Sequence, residues 1–394
     1  MKQSPKVLLT SLWLVPSSGG IPKTVSKFRE ALEAKVVSFT DAEDLAEEGS
    51  AFPGIEHVPL MRGFLGRFYG WAPRSKRAHA ESLAAEADLL TCHVMLRYHA
   101  NWVMKMVNHH EIPYWFIPHG QLDPYVYTYR AAIKKLWLWL FGKRLLRNAA
   151  HIIFSTEQER RKAAWFYEGA NTRVVHWPVD LIDTADKRVA QAEIRKEIGA
   201  SEGARVFVFL GRLHSMKRPL QTVEAFCRAA RDEDAHLVLM GMEQGVRLEE
   251  CSQLGREMGC ADKVHPLGPV YGADKERYLL GADAYISLSK RENFGHTAAE
   301  ALAAGTPVIL SPGNDLATEL APRECGWFLK SDSMDEAVAA IYDCIDTEAL
   351  EIEAKGRRGR EFIAEECSFE GFAQALRELR NEAVGRAESQ EQGA

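Results

Sequence analysis

The chain has 394 residues, 46% of them hydrophobic and 26% charged, and a formal net charge of −6. That length holds two domains with substantial cores, and the composition is ordinary for a soluble globular protein. The charge balance gives no global case for nucleic-acid binding, and without an apolar run of eighteen residues no membrane span is expected.

Seven cysteines are scattered with no CxxC pair, and the closest two, Cys251 and Cys260, have no ligand cluster beside them. A zinc site is not expected, and a reduced cytosolic setting fits best. The first twenty residues put Lys2 and Lys6 before an apolar run, as a secretory signal does. The run is short and lacks a small-residue cleavage site, so it reads as a first buried strand.

In chain order, that strand covers 7–15. Gly19 and Gly20 close the turn after it, and a helix follows over 21–34 with Pro22 in its first turn. Strand, glycine turn and helix together bring backbone amides up to a ligand, although the dinucleotide fingerprint GxGxxG is absent and a plain tight turn is the other reading. Residues 36–39 form a second strand, 41–50 an acidic surface segment, and 51–73 a long irregular stretch that interleaves Arg62 and Arg67 with Phe64, Phe68, Tyr69 and Trp71. A helix over 78–87, a strand over 89–93 and a helix over 99–107 precede the buried strand 112–118. His119 follows that strand, where open α/β sheets bind ligands, and its chemistry suits hydrogen bonding or proton exchange with a sugar hydroxyl. Capping a turn is its alternative role.

Residues 125–147 set Arg130, Lys134, Lys135, Lys143, Arg144 and Arg147 around Trp137, Leu138, Trp139, Leu140 and Phe141. Basic residues flanking a tryptophan-rich face suit an anionic membrane surface, and equally an amphipathic helix packed on its own domain. Strands at 150–155 and 172–177 follow, and a charged connector covers 180–200.

The second half opens on the strand 205–210. After it come Gly211, Arg212 and Lys217, a cationic lip before a helix over 220–230, without a Walker pattern. Strands at 236–240 and 264–267 alternate with helices, and Val270 and Tyr271 end the second of these units. The strand 284–288 then runs into Glu292, Asn293, Phe294 and Gly295, a helix over 295–304 carrying Glu300, and the strand 308–310. Glu292 and Glu300 are eight positions apart, about 80° around a helix, so only the loop position frees Glu292 to turn towards the same pocket. Parallel strands place the Arg212–Lys217 loop and the Glu292–Glu300 loop at one sheet edge. Two cations, helix-opening amides and two carboxylates are what a nucleotide sugar needs for its diphosphate and hydroxyls.

At GRLHSMKRP (211–219) and ENFGHTAAEALAAGTPVI (292–309) the chain resembles the large retaining glycosyltransferase family called family 4, over residues from the first strand to about 375. The resemblance implies an α/β GT-B fold, two facing Rossmann-like domains with a deep cleft. They would be an acceptor-side domain over 1–185 and a nucleotide-sugar domain over 186–375, with a C-terminal helix and tail, 376–394, packing back on the first. It implies that Arg212 and Lys217 hold the donor diphosphate and Glu292 contacts the hexose. Asn293, Phe294 and Gly295 would line the sugar–phosphate site, Glu300 bind ribose, and the backbone of Val270 and Tyr271 frame the base. Gly19 and Gly20 would approach the diphosphate or acceptor, and His119 would meet the transferred sugar.

No metal or other cofactor is implied beyond the donor. The linker HWPVDL (176–181) departs from the family's Pro-Asn-Gly-Val-Asp loop. PHGQLDP (118–124) with the basic Trp/Leu segment is similar to bacterial members that build polysaccharide on a lipid carrier. That similarity implies a polyprenyl-diphosphate-linked glycan acceptor and a peripheral site on the inner face of the cell membrane. Two rivals are a soluble sucrose-, trehalose- or glycogen-type transferase and an inactive GT-B module that binds a partner. A nicotinamide dehydrogenase is disfavoured by the missing fingerprint.

Overall fold

A computed structural model describes residues 4–60, 72–95, 98–128 and 131–391. The aromatic and basic side chains expected at 62–71, and Arg130, lie outside the described residues. The chain divides into two compact units, Met1–Pro178 with Phe369–Ala394, and Val179–Ser368. Each is a parallel sheet flanked by helices.

The first unit is built on strands β1 Val7–Leu12, β2 Lys35–Asp41, β3 Ile55–Leu60, β4 Leu89–His93, β5 Tyr114–Ile117, β6 His151–Phe154 and β7 Thr172–Val174. Their order across the sheet is β3-β2-β1-β4-β5-β6-β7, with every pair parallel. Strands β1, β4, β5 and β6 are buried along their whole length, as expected of a parallel sheet covered on both faces. The helix Gly20–Leu32 buries Val25, Phe28, Ala31 and Leu32, a stripe at helical spacing. Phe28 meets Trp177 edge-on at 5.5 Å and Phe372 at 5.1 Å. The second contact docks the final helix, Phe369–Glu391, onto the unit that the chain left at Pro178.

The second unit holds β8 Arg205–Leu210, β9 Ala235–Met240, β10 Val264–Gly268, β11 Ala284–Ser287, β12 Val308–Leu310 and β13 Gly326–Phe328. The order is β10-β9-β8-β11-β12-β13, again all parallel. Its core gathers Phe207, Phe226, Leu237, Leu239, Ile286 and Ile309, each fully buried. Each such side chain contributes roughly 1.5–3 kcal/mol. At the carboxyl edge, three glycines let the loops close on one another. The Gly211 amide donates to Met240 O, and the Gly241 amide donates to Gly268 O. A Cβ on Gly241 would lie 1.7 Å from Gly211 O, so no other residue fits there.

Three local departures have physical causes. The acidic segment after β2 is a short exposed helix, Ala42–Glu48, with Glu43 and Asp44 in its first turn, where the helix dipole favours them. The stretch expected to be irregular contains β3. The segment 125–147 is no single helix: a 3₁₀ turn at Pro124–Tyr127 and helix Ala131–Trp137 lead to a π-helical turn at Leu138–Gly142 and helix Lys143–Asn148. Trp137, Leu145 and Leu146 are buried, whereas Leu136, Trp139, Leu140 and Phe141 are exposed beside Lys135, Lys143, Arg144 and Arg147.

Candidate active site

In an open parallel sheet, ligands bind outside the carboxyl ends of the strands, where the strand order reverses direction. In the second unit that point lies between β8 and β11, neighbours in the sheet but not in sequence. The loop after β8 carries Arg212 and Lys217, and the loop after β11 carries Glu292. The two sequence motifs thus meet at the switch point.

The loops are tied by backbone as well as side chain. The Lys290 amide donates to Met216 O at 2.8 Å. The Lys217 ammonium forms an ion pair with the Glu292 carboxylate, both about a quarter exposed (24% and 22%) and so open to a ligand. Glu292 itself is pinned. Its amide donates to Gly313 O at 2.8 Å and its carbonyl accepts from the Asp315 amide at 2.9 Å. Burial, then the nearby Arg212 guanidinium, push the Lys217 ammonium down to about 8. The Glu292 carboxylate pulls the other way by favouring the charged form. Arg212 is oriented by Gln244, to whose Oε1 its Nη1 donates at 3.0 Å. Arg218, next to Lys217, instead pairs with Asp332 at 2.9 Å.

Beyond Glu292 the chain turns into the helix His296–Ala303 through Gly295, at φ 76°. A Cβ there would lie 2.7 Å from the Asn314 side-chain nitrogen. Phe294 is buried at 2% exposure, a packing residue under the loop. Glu300, on that helix, pairs with Lys275 at 3.1 Å. Lys275 lies in the first turn of the helix Gly272–Gly281, immediately after Val270 and the exposed Tyr271. The two carboxylates therefore have separate lysine partners, Glu292 with Lys217 and Glu300 with Lys275. The expected pair resolves into two adjoining charge-compensated positions on one edge of the unit.

In the first unit, Gly19 (φ 75°) caps the helix Gly20–Leu32 just beyond β1, and a Cβ on it would meet nothing within 4 Å. His119 follows β5 at φ 49°, with its ring 5.8 Å from that of Trp177. The next amide, Gly120, donates to the buried Glu159, which also accepts from the Ser155 amide and hydroxyl. His119 Nε2 lies 2.9 Å from His93 Nδ1. Sequence reasoning missed His93, Lys275, Gln244 and Asn314. Only His93 had a local signal, a titratable residue ending a buried strand.

A cavity of about 780 Å³ opens elsewhere in the second unit, lined by Lys187, Arg195, Arg205 and Asp283 at the amino ends of β8 and β11. It lies at the opposite edge of the sheet from the motif loops.

Two family models match: Glycosyltransferase Family 4 over residues 18–182 and Glycosyl transferases group 1 over 190–360. The chain belongs to the family 4 glycosyltransferases of GT-B fold. A D-inositol 3-phosphate glycosyltransferase of Geodermatophilus obscurus is 29% identical over 212 residues, 50% of this chain and 46% of that protein. The chain spans about half the length of the first curated relatives it matches. Among solved structures, Anabaena Alr3699/HepE in complex with UDP and glucose superposes with a TM-score of 0.71 at 18% identity, covering 95% of this chain and 98% of that one. Sucrose-phosphate synthase from Thermosynechococcus elongatus gives 0.74 at 20% identity, covering 97% and 100%. These two likenesses show the shared GT-B fold.

The lysine in this family 4 glycosyltransferase makes a pH prediction. A lysine that attracts phosphate must be cationic, so if Lys217 takes that role donor kcat/KM falls as pH rises above about 8. Removing the counter-charge with Glu292→Gln should bring that fall to lower pH, and Lys217→Arg should abolish it, because a guanidinium stays charged. Stability moves the opposite way. A lysine depressed in the folded state costs stability at low pH, and the cost is relieved between the folded value and the unfolded 10.5. Initial rates at subsaturating donor across pH 6–10 for all three proteins check the first sign, and thermal melts over the same range check the second.

Proposed function

We propose that the protein transfers a hexosyl unit from a nucleoside-diphosphate sugar to a hydroxyl of a soluble, polar acceptor, with retention of anomeric configuration. The observation that carries this reading is the meeting of Lys217, Arg212 and Glu292 at the β8/β11 switch point. Departure of the sugar leaves negative charge on the diphosphate, and fixed cations at that point lower the barrier. Lys217 and Arg212 take the diphosphate, Glu292 a hexose hydroxyl, and Glu300 the ribose. Val270 and Tyr271 frame the base, and Asn293 and Gly295 line the sugar–phosphate path. In the first unit, Gly19, Gly20 and His119 are kept as candidate contacts to a sugar or acceptor.

Lys217 is paired with Glu292. An arriving diphosphate competes for the ammonium and releases the carboxylate for the sugar. The relatives support a soluble acceptor, since one is named for D-inositol 3-phosphate and a fold neighbour is a sucrose-phosphate synthase.

A thermal-shift panel tests the donor. One of the UDP-, GDP- or ADP-sugars at about 100 times its Kd should stabilise the protein by about 2.7 kcal/mol. No shift with any of the three would count against the reading. Product formation with inositol phosphate or a hexose phosphate as acceptor then tests the soluble class.

One observation favours a second reading, a lipid-linked glycan acceptor. Leu136, Trp139, Leu140 and Phe141 are exposed next to four basic residues, which suits docking on an anionic bilayer. Among the described residues no helix is long and apolar enough to cross a membrane. Co-sedimentation with vesicles containing anionic lipid, lost on Trp139→Glu, would support that acceptor. Equal recovery with and without vesicles would remove it.

A further inference from the structure

His119 is proposed as a sugar contact, and its imidazole can act there either as hydrogen-bond donor or as proton acceptor. The difference depends on which ring nitrogen holds the proton, and a second histidine bears on it. His93, the last residue of β4, is fully buried, and its Nδ1 lies 2.9 Å from His119 Nε2. One proton is shared across that contact, so one ring donates and the other accepts.

The surroundings of His93 decide the direction. Its Nε2 is buried and has no hydrogen-bond partner among the described residues. A buried N–H without an acceptor is rarer and costlier than a buried lone pair without a donor. The neutral tautomer that avoids the orphan carries its proton on Nδ1 and donates it to His119. The adjoining histidine follows the same rule. His99 Nε2 lies 2.9 Å from the His93 carbonyl, which can only accept, so the His99 proton is on Nε2. Its own Nδ1 is then the buried nitrogen left bare. Cys92 adds no competing charge, because burial holds its thiol protonated. Burial likewise keeps His93 and His99 neutral at pH 7. Phe28 and Trp177 hold the two rings in place, Phe28 at 5.0 Å from His93 and Trp177 at 5.8 Å from His119.

We infer that His93 is a positioning residue that fixes the His119 proton on Nδ1, so that His119 presents an N–H donor and not a base. Resting on the proposed function, this means that His119 donates to an oxygen of a bound sugar and takes no proton from it.

The test reads the tautomer directly and independently of turnover. Two-bond nitrogen–proton correlation spectra of the full chain, labelled with ¹⁵N-histidine, should show His119 protonated on Nδ1 at neutral pH. Its signals are identified by their loss in His119→Asn. His93→Asn supplies an amide donor in place of Nδ1–H and should keep that tautomer, with kcat within about threefold of the unaltered protein. His93→Asp supplies an acceptor. It should move the proton to Nε2 and lower kcat about tenfold, with a smaller change in donor KM. A proton on Nε2 in the unaltered protein overturns the inference, as does the same tautomer in the Asn and Asp variants. If either variant fails to fold, the spectrum of the unaltered protein still decides. Absence of all nucleotide-sugar turnover would sink the proposed function while leaving the tautomer result standing.

Discussion

Replacing Lys217 by alanine should lower donor kcat/KM by about 100-fold or more, the usual cost of removing one group that stabilises developing charge. The same variant should melt within about 2 °C of the unaltered protein. Its ion pair with Glu292 is partly solvated at 24% and 22% exposure, and such pairs contribute little to stability. The loop does not depend on the side chain, because the Lys217 amide is held by His214 O at 2.8 Å and the Lys290 amide by Met216 O. UDP or its equivalent should bind the variant more weakly, as the cation nearest Glu292 is gone. Steady-state kinetics with a calorimetric titration of the nucleoside diphosphate separate the two effects. Normal diphosphate affinity in the variant would move the phosphate site away from this lysine.

Glu292→Ala should give the opposite binding phenotype with a similar loss of turnover. Truncation leaves the backbone pinned between Gly313 and Asp315, so the loop keeps its path. It also removes the internal competitor of the diphosphate. The account therefore expects nucleoside-diphosphate affinity equal to or tighter than normal, with kcat down by about 100-fold because the sugar loses its carboxylate. A loss confined to KM, with kcat unchanged, would mean that Glu292 serves uniform binding and not the reacting centre. The two variants together form a signature that general loosening of the loop does not produce: one weakens the diphosphate, the other spares it, and both slow the reaction.

The parts legible in the sequence were those with strong local patterns. Strand β8 is an apolar run, VFVFL, behind Arg205, and β12 is held between Pro307 and Ser311, so both were placed with their full bounds. Strand β3 was not, for a physical reason. It lies at the edge of its sheet, opens on three half-buried residues, Ile55, Glu56 and His57, buries only Val58 and Leu60, and contains Pro59, which an edge strand tolerates. The π-helical turn at 138–142 was equally hidden, since periodicity cannot register one extra residue per turn.

For the site, motif spacing brought Lys217 and Glu292 to one edge but could not say that they would touch. The chain between β8 and β11 spans more than seventy residues, and only the strand order makes the two neighbours. Lys275 and Asn314 escaped for the same reason. Each meets the motif from another loop, Lys275 at Glu300 and Asn314 at Gly295.

Everything functional here depends on a diphosphate lying over the amino end of the helix Pro219–Ala229, between the loop after β8 and the loop after β11. A crystal structure with a bound nucleoside diphosphate tests this most directly. The account predicts a terminal phosphate oxygen within hydrogen-bond distance of Lys217 Nζ and Arg212, with Glu292 no longer paired to that lysine. A diphosphate bound at any other edge of the unit, with the Lys217–Glu292 pair intact, would contradict it.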